Sequence, residues 1–551
     1  MSYVELHTAS AFSFLQGASL PETLVDRAVE LGYSAVALVD RDGVYGMPRF
    51  HKAARAAGIR PIVGAEISVA LEGQVGRESR EGRESHDGKA RSSKHQGNGL
   101  AGLGARVNST GHSVQAFQAV PAFLTGQVSQ AGQLFVLPVL CESAEGYQNL
   151  CRLITRMKLA SPKGEGALPI EALDGMTGGL VALVGRAALD ARRFGVGGLL
   201  DRIVGLFGRE RTYVELQRHF RRDEESDNQT LIAMAEAFRV PILATNGARF
   251  ASPAERPLFD VLTCIHHHTD LARAGRRLAP NAERYLKSRD QMAALFADQP
   301  QALANSLALA DRLQFTMADL GYRFPEYPVP PGETQASFLR RMTDVGARDR
   351  YRPYHDKARA QIARELDMIE KLQLAGYFLI VWDIVNYCRQ HDILVQGRGS
   401  AANSAVCYSL GVTAVDPVGM DLLFERFLSE ERGEWPDIDL DLPSGDRREQ
   451  VIQHVYEKYG KLGAAMTANV ITYRGRSAAR EVGKALGFEA QQVDRLAKVM
   501  NNFEFVDASA ESALTGHFAS VGLDMNANRV RLFAKLWQQM QIGRASCRER
   551  V

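Results

Sequence analysis

WPDIDLDLPSGDRREQ, residues 435–450, carries Asp437, Asp439 and Asp441 alternating with Ile438 and Leu440. Along an extended strand, side chains alternate between two faces. The spacing therefore puts three carboxylates on one face and two aliphatics on the other. Like charges crowded on one face repel, and a cation among them relieves the cost. Oxygen-only donors suit Mg2+, which is held by one or two carboxylates plus substrate phosphates. The competing reading is a solvated acidic edge strand. Pro436 and the apolar alternation weigh against it.

Working back along the chain, ILVQGRGSAANS (393–404) leads an apolar run into Gly397, Arg398, Gly399 and Ser400, then into small residues that open a helix. Glycine lets backbone amides approach phosphate oxygens, and a helix N-terminus favours negative charge. Such turns also arise for steric reasons alone. Together, however, a Gly-Ser turn and an Asp-x-Asp strand form the layout of nucleotidyl transfer, one cradling a triphosphate and the other holding two metal ions. Downstream, in YRGRSAAREVGKALG (473–487), Arg476, Arg480 and Lys484 recur at helical spacing. This basic face is either solvated or in contact with phosphate, and its place after the acidic strand favours the latter.

Up to about residue 260 the chain alternates β-type runs with helical patterns such as PETLVDRAVELG and QTLIAMAEAF. The expected strands are 35–40, 62–71, 134–140, 180–185, 212–217 and 241–246. Such alternation predicts a parallel sheet or an α/β barrel, with chemistry at the C-terminal strand ends. Residues 72–130, rich in Gly, Ser, Arg and Glu, predict a disordered, solvated insertion. From 270 to 370 the pattern is mostly helical, VPPGETQ (329–335) reads as a turn, and 358–390 reads as two helices broken at Gly376. The final stretch is helical again.

Net charge is +2, from 66 basic and 64 acidic residues, which neither requires nor excludes nucleic acid. Six scattered cysteines form no CxxC pair, so reduced thiols and a cytoplasmic location are expected. No signal peptide and no apolar membrane span is visible. The adjacent histidines His266, His267 and His268 diverge in direction and make a poor metal cluster.

GYFLIVWDIV, GRGSAANSAVCYSLGVTAVDP, LLFERFLSEER and PDIDLDLPSGDRREQVIQHVYEKYG resemble the palm of bacterial C-family DNA polymerases, the polymerase III alpha type. The resemblance covers residues 1–71 and 131–541, and VDRDGVYGMPRFHKAA with EWPDIDLDLPSGDRRE is similar to the error-prone branch. It implies a multidomain α/β and α+β protein. A PHP-type (polymerase and histidinol phosphatase) (β/α)7 barrel would span 1–265. A polymerase-beta-like nucleotidyltransferase palm with helical insertions would span 266–468, and a helical thumb 469–541.

The resemblance makes Asp437 and Asp439 the catalytic, Mg2+-binding pair and Asp441 a supporting carboxylate. It places Gly397, Arg398, Gly399, Ser400, Arg476 and Arg480 by the nucleotide. The activity implied is DNA-templated DNA synthesis of the error-prone, damage-induced kind. Primer-template DNA, dNTPs, a sliding clamp and mutagenesis accessory proteins are its expected partners.

The barrel departs from the PHP pattern. His7-Thr8-Ala9, Val39-Asp40-Arg41 and Gly247-Ala248-Arg249 stand where metal-binding triplets are usual, while His7, Asp40, Glu66 and His219 remain. The expectation is a scaffold without barrel metals. Two alternatives are a metal-dependent phosphoesterase or nuclease of the barrel, and a non-catalytic DNA-repair scaffold. The family's third catalytic aspartate lies beyond Val551. IGRASCRERV (542–551) leaves the family pattern and matches a translated sequencing adapter, so a longer natural protein and an inactive fragment are expected.

Overall fold

A computed structural model describes residues 3–71, 133–161, 166–190, 197–318, 320, 326–429, 436–499, 518 and 522–541. The expected insertion at 72–130 and the adapter-like tail at 542–551 lie outside them. Two compact units are present, Met1–Ala318 with Val470–Val551, and Asp319–Asn469.

The first unit is built on strands β1 (Ala35–Arg41), β2 (Arg60–Leu71), β3 (Gln133–Cys141), β4 (Leu168–Pro169), β5 (Leu180–Val184), β6 (Thr212–Leu216) and β7 (Ile242–Ala244). Their order is β1-β2-β3-β5-β6-β7, with β4 on β2. The N-terminal segment joins the two ends of this order. Glu5 bridges Val36 and Thr8 bridges Ala248, while the Val39 amide donates to Thr8 O at 2.8 Å and the Ala9 amide to Ala248 O at 2.9 Å. The N-terminal segment thus links β1 to the residues just after β7.

Alternation along β1 explains the two layers. Ala35, Ala37 and Val39 cluster with Val4, Leu6, Leu140, Val181 and Leu243, whereas Val36 and Leu38 join Leu24, Val25 and Phe50. Helix Pro300–Arg312 closes one end, where Arg60 at the start of β2 donates to the carbonyls of Ala310 and Leu313. The opposite end, at the C-termini of the parallel strands, is the mouth.

The six expected strands are present, with one difference of direction. β3 runs antiparallel to both β2 and β5, so the barrel is mixed rather than wholly parallel.

Helix Arg256–His266 packs with the segment after 470 in a separate core that includes Leu258, Val482, Phe533 and Trp537. Trp537 Nε1 donates to Gly475 O at 2.9 Å. The helix carrying Arg476 and Arg480, Gly475–Ala485, therefore folds with the barrel-bearing unit.

The second unit is helical around a core of Leu339, Ile362, Phe378, Leu379, Val406 and Phe427. A capping box at Thr334 starts helix Gln335–Arg350. Helices Asp356–Lys371 and Ala375–Gln390 follow. The break falls at Leu372–Leu374, not at Gly376. Gln373 takes the left-handed turn at φ 57°, and Gly376 lies buried inside the second helix. β8 (Gln396–Arg398) and β9 (Asp439–Asp441) form a two-stranded antiparallel sheet. No helix among the described residues is long and apolar enough to cross a membrane.

Candidate functional site

The acidic strand and the glycine turn are neighbours. Arg398 pairs with Asp439, Gly397 with Leu440 and Gln396 with Asp441 across the β8–β9 ladder. Asp437, Asp439 and Asp441 are exposed, while Ile438 and Leu440 pack against the core of the second unit. One face of the strand is thus fixed by burial, and the carboxylates follow on the other.

Tyr377 holds the strand from beneath, its hydroxyl accepting from the Ile438 amide at 3.0 Å. Burial, with Asp437 and Asp439 nearby, pushes the Tyr377 phenol up to about 12 despite that amide bond. Arg398 Nε donates to Asp441 Oδ1 at 2.9 Å. Among the described residues no cation lies within ion-pair distance of Asp437 or Asp439. These two aspartates offer oxygen donors to solvent, the donor type a hard divalent cation takes.

The turn residues differ in what they do. Gly399 has φ +71°, and a Cβ there would lie 3.8 Å from Asp439 Oδ2. It combines a backbone that favours glycine with close approach to the acid. Gly397 is a packing glycine: it is buried, and a Cβ would sit 2.6 Å from Val412 O. Ser400 lies in a 3-10 stretch, Gly399–Asn403, rather than in an α-helix.

The α-helix begins only at Ala405, and its N-terminus is already occupied. The buried Glu365 carboxylate accepts from the amides of Ala405 and Val406, at 3.0 Å each, and from Ser404 Oγ at 2.8 Å. The helix end that sequence offers to a phosphate is therefore filled from within. Glu365 escaped the sequence reading because a polar residue in an amphipathic helix gives no signal of burial.

Arg476 is exposed and Arg480 donates to Asp494 at 3.3 Å; both belong to the barrel-bearing unit. They extend from the face opposite Ala478, Ala479 and Val482, which are buried.

At the barrel mouth, His7 lies between two acids, Nδ1 2.6 Å from Glu215 and Nε2 2.8 Å from Glu66. Glu66 also accepts from Arg41 at 2.9 Å and from Arg249 at 2.5 Å. Burial pushes His7 down, but Glu215 and Glu66 outweigh it and hold the imidazole at about 9. Burial alone would raise Glu66, yet Arg249, Arg41 and His7 hold it well below the carboxylate range.

Asp40 is buried and accepts from the Ser10 amide at 2.7 Å and from Ser13 Oγ at 2.8 Å; burial still lifts it to about 6. His219 is spent on the Asn246 carbonyl at 2.8 Å and on Glu224 at 3.1 Å. Sequence reading missed Glu215, although an acid within the apolar run TYVEL was a signal.

Two family models match the chain, and the more C-terminal of them spans parts of both compact units. The family described as the bacterial DNA polymerase III alpha NTPase domain matches residues 337–543, and the PHP domain matches 5–219. An error-prone DNA polymerase of Nocardia farcinica is 41% identical, aligned over 97% of this chain and 46% of its own length. That of Mycolicibacterium paratuberculosis is 40% identical over 91% and 42%. That of Anaeromyxobacter dehalogenans is 37% identical over 98% and 49%. The chain thus spans about half the length of the curated relatives it matches. Among solved structures, an amidohydrolase from Chromobacterium violaceum is 13% identical over 46% of this chain and 89% of its own, at a TM-score of 0.28, too slight a likeness to carry weight.

Proposed function

We propose, from the premise that this chain is of the bacterial error-prone DNA polymerase type, that it supplies part of a DNA-templated DNA polymerase acting in the cytoplasm. Primer-template DNA and dNTPs are its substrates, and a sliding clamp and mutagenesis accessory proteins its partners. One observation carries the reading: Asp437 and Asp439 stand exposed and without a cationic partner among the described residues, beside a glycine turn on the adjoining strand.

In this reading Asp437 and Asp439 hold Mg2+. Bound there, the metal supplies charge neutralisation for an attacking 3′-hydroxyl and a departing pyrophosphate. The residues of the chain position and orient. Gly399 lets the backbone come close to a triphosphate, Ser400 and Arg398 offer a hydroxyl and a guanidinium, and Arg398 keeps Asp441 in place. Tyr377 fixes the backbone between the two metal-binding carboxylates. Arg476 and Arg480 contact phosphate of the nucleotide or DNA. We assign the palm to 266–468, the thumb to 469–541 and the PHP domain to 1–265, with 266–318 folding in the barrel-bearing unit.

The barrel serves as a scaffold without metals. The arginines on Glu66 and the two acids on His7 support this, because the groups that would bind cations are already neutralised. The test of the polymerase reading is primer extension by a polymerase carrying this chain, beside the same protein with Asp439→Ala. Extension that persists in the variant overturns the assignment.

A further inference from the structure

One acid of the second unit stands where a core residue belongs. On helix Asp356–Lys371 the inward positions are Ala358, Ile362, Glu365, Leu366 and Ile369, and Glu365 is fully buried among them. Every polar contact of its carboxylate is with a donor. Oε1 accepts from the Ala405 amide at 3.0 Å and from Gln361 Nε2 at 2.7 Å. Oε2 accepts from the Val406 amide at 3.0 Å and from Ser404 Oγ at 2.8 Å. Burial raises the pKa of the acid, and these donors pull it back. Among the described residues no cation lies within ion-pair distance of it. A buried carboxylate without a cation is costly, and well-packed aliphatic groups in place of buried charge are often neutral or stabilising. Packing alone therefore does not account for an acid at this position.

What Glu365 holds is the far end of the glycine turn. The stretch Gly399–Asn403 is secured upstream by the strand, where Arg398 pairs with Asp439 and the Gly397 amide donates to Val412 O at 2.7 Å. Within it, Asn403 Nδ2 donates to Ser400 O at 3.0 Å, and the Ser404 amide donates back to Ala401 O at 3.2 Å. The Ser404 hydroxyl donates to Glu365 and accepts from the Cys407 amide at 3.1 Å. The turn is thus fixed at one end by the β8–β9 ladder and at the other by Glu365. The acidic strand does not use that second anchor, since Ile438 and Leu440 pack into the core and Tyr377 holds the Ile438 amide.

We propose that Glu365 is a positioning residue for the incoming nucleotide. It touches no substrate, and it sets the backbone of Gly399 and Ser400 by holding Ser404, Ala405 and Val406. This role rests on the polymerase reading and adds a division of labour to it. Loss of Glu365 slackens the nucleotide turn and leaves the metal-binding acids in place. A role in folding alone would lower the amount of active protein and leave its affinity for nucleotide unchanged.

The test is steady-state incorporation of one templated dNTP by a polymerase carrying this chain, with urea unfolding measured alongside. Glu365→Gln keeps the size of the side chain but turns an NH2 group toward amide donors. Its KM for the dNTP should rise about tenfold, while kcat and the KM for primer-template stay within about twofold. Mn2+ binding to the 551-residue chain, followed by electron paramagnetic resonance, should match the parent. Val385→Ala, which leaves a cavity in the same core, should lower the urea midpoint and leave the dNTP KM where it was. If Glu365→Gln does not fold, Ser404→Ala removes the hydroxyl bond to Glu365 and keeps both amide bonds, and it should raise the dNTP KM severalfold. An unmoved KM in whichever of these two variants folds, a loss confined to kcat, or a rise in Val385→Ala as large as that in Glu365→Gln would overturn the proposal. Asp439→Ala separates this role from the polymerase reading. Extension that persists there sinks both, and extension lost there beside an unmoved KM in Glu365→Gln sinks the positioning role alone.

Discussion

The barrel mouth and the acidic strand both gather carboxylates, and they treat them in opposite ways. At the mouth, Glu66, Glu215 and Asp40 are buried, and each is answered by arginine, histidine or hydroxyl groups of the same chain. On the strand, Asp437 and Asp439 face solvent, and the described residues bring no cation to them. Internal neutralisation makes a stable structural knot, because buried charges are tolerated only when paired and hydrogen-bonded. Acids left open are costly to crowd together and wait for a ligand from outside. The same residue type is thus sealed by partners in one region and left open in the other.

The largest effect should come from the open acids. Asp439→Asn removes half of the proposed metal pair, so primer extension by a polymerase carrying this chain should fall roughly a thousandfold, the scale of several kcal/mol of lost charge stabilisation. Its urea unfolding midpoint should stay level or rise, since repulsion on the strand is relieved. Loss of stability together with retained extension would erase the contrast.

Glu66→Gln tests the other side. It strands Arg41, Arg249 and His7 in a buried site, and removal of one partner from such a network costs about 3–5 kcal/mol. Circular dichroism during denaturant unfolding should show the barrel-bearing unit weakened by that amount. A shift below about 1 kcal/mol would mean that the network is solvated rather than sealed.

What sequence could and could not supply follows the same division. The strands at 35–40 and 180–185 were legible because apolar β-formers run unbroken between turn signals, and the exposed–buried alternation over Asp437–Asp441 because its period is two, although the strand itself is only Asp439–Asp441. Local patterns carry no direction for a strand, so the antiparallel β3 was hidden. They carry no partner for a polar residue either. Glu365 beneath the helix at Ala405 became visible only once distant segments met. Gly376 looked like a helix break because glycine is a poor helix former, yet Gln373 turns the chain and Gly376 stays helical.

A smaller effect, read by pH, separates sealed from open charge. His7 is raised from 6.5 to about 9 in the fold. A raised histidine contributes stability that is complete below pH 6.5 and is lost as pH climbs through 9. Glu5, raised by burial to about 7, and Asp40, raised to about 6, act with the same sign at lower pH. Glu66 and Glu215, both lowered, act oppositely, and their contribution disappears as pH falls through the acid range. Between pH 6.5 and 9 the His7 contribution should therefore dominate, and the barrel-bearing unit should lose on the order of 2 kcal/mol. His7→Gln should flatten that decline in urea midpoints across the window. A decline of unchanged slope would assign it to other groups.

The smallest effect belongs to Arg398. Its bond to Asp441 is made between side chains that are each 62% exposed. Exposed pairs contribute about 0–1 kcal/mol and are screened by salt, so Arg398→Gln should shift unfolding by less than about 0.5 kcal/mol. Its consequence should instead appear in metal binding. Freed of its guanidinium partner, Asp441 becomes a third open carboxylate on the face that carries Asp437 and Asp439, and the positive charge nearest the ladder is gone. Mn2+ affinity, followed by electron paramagnetic resonance, should rise severalfold in Arg398→Gln and fall in Asp439→Asn. If both variants bind Mn2+ like the parent, the open acids of the strand are only a solvated edge, and the contrast with the barrel mouth is one of burial without function.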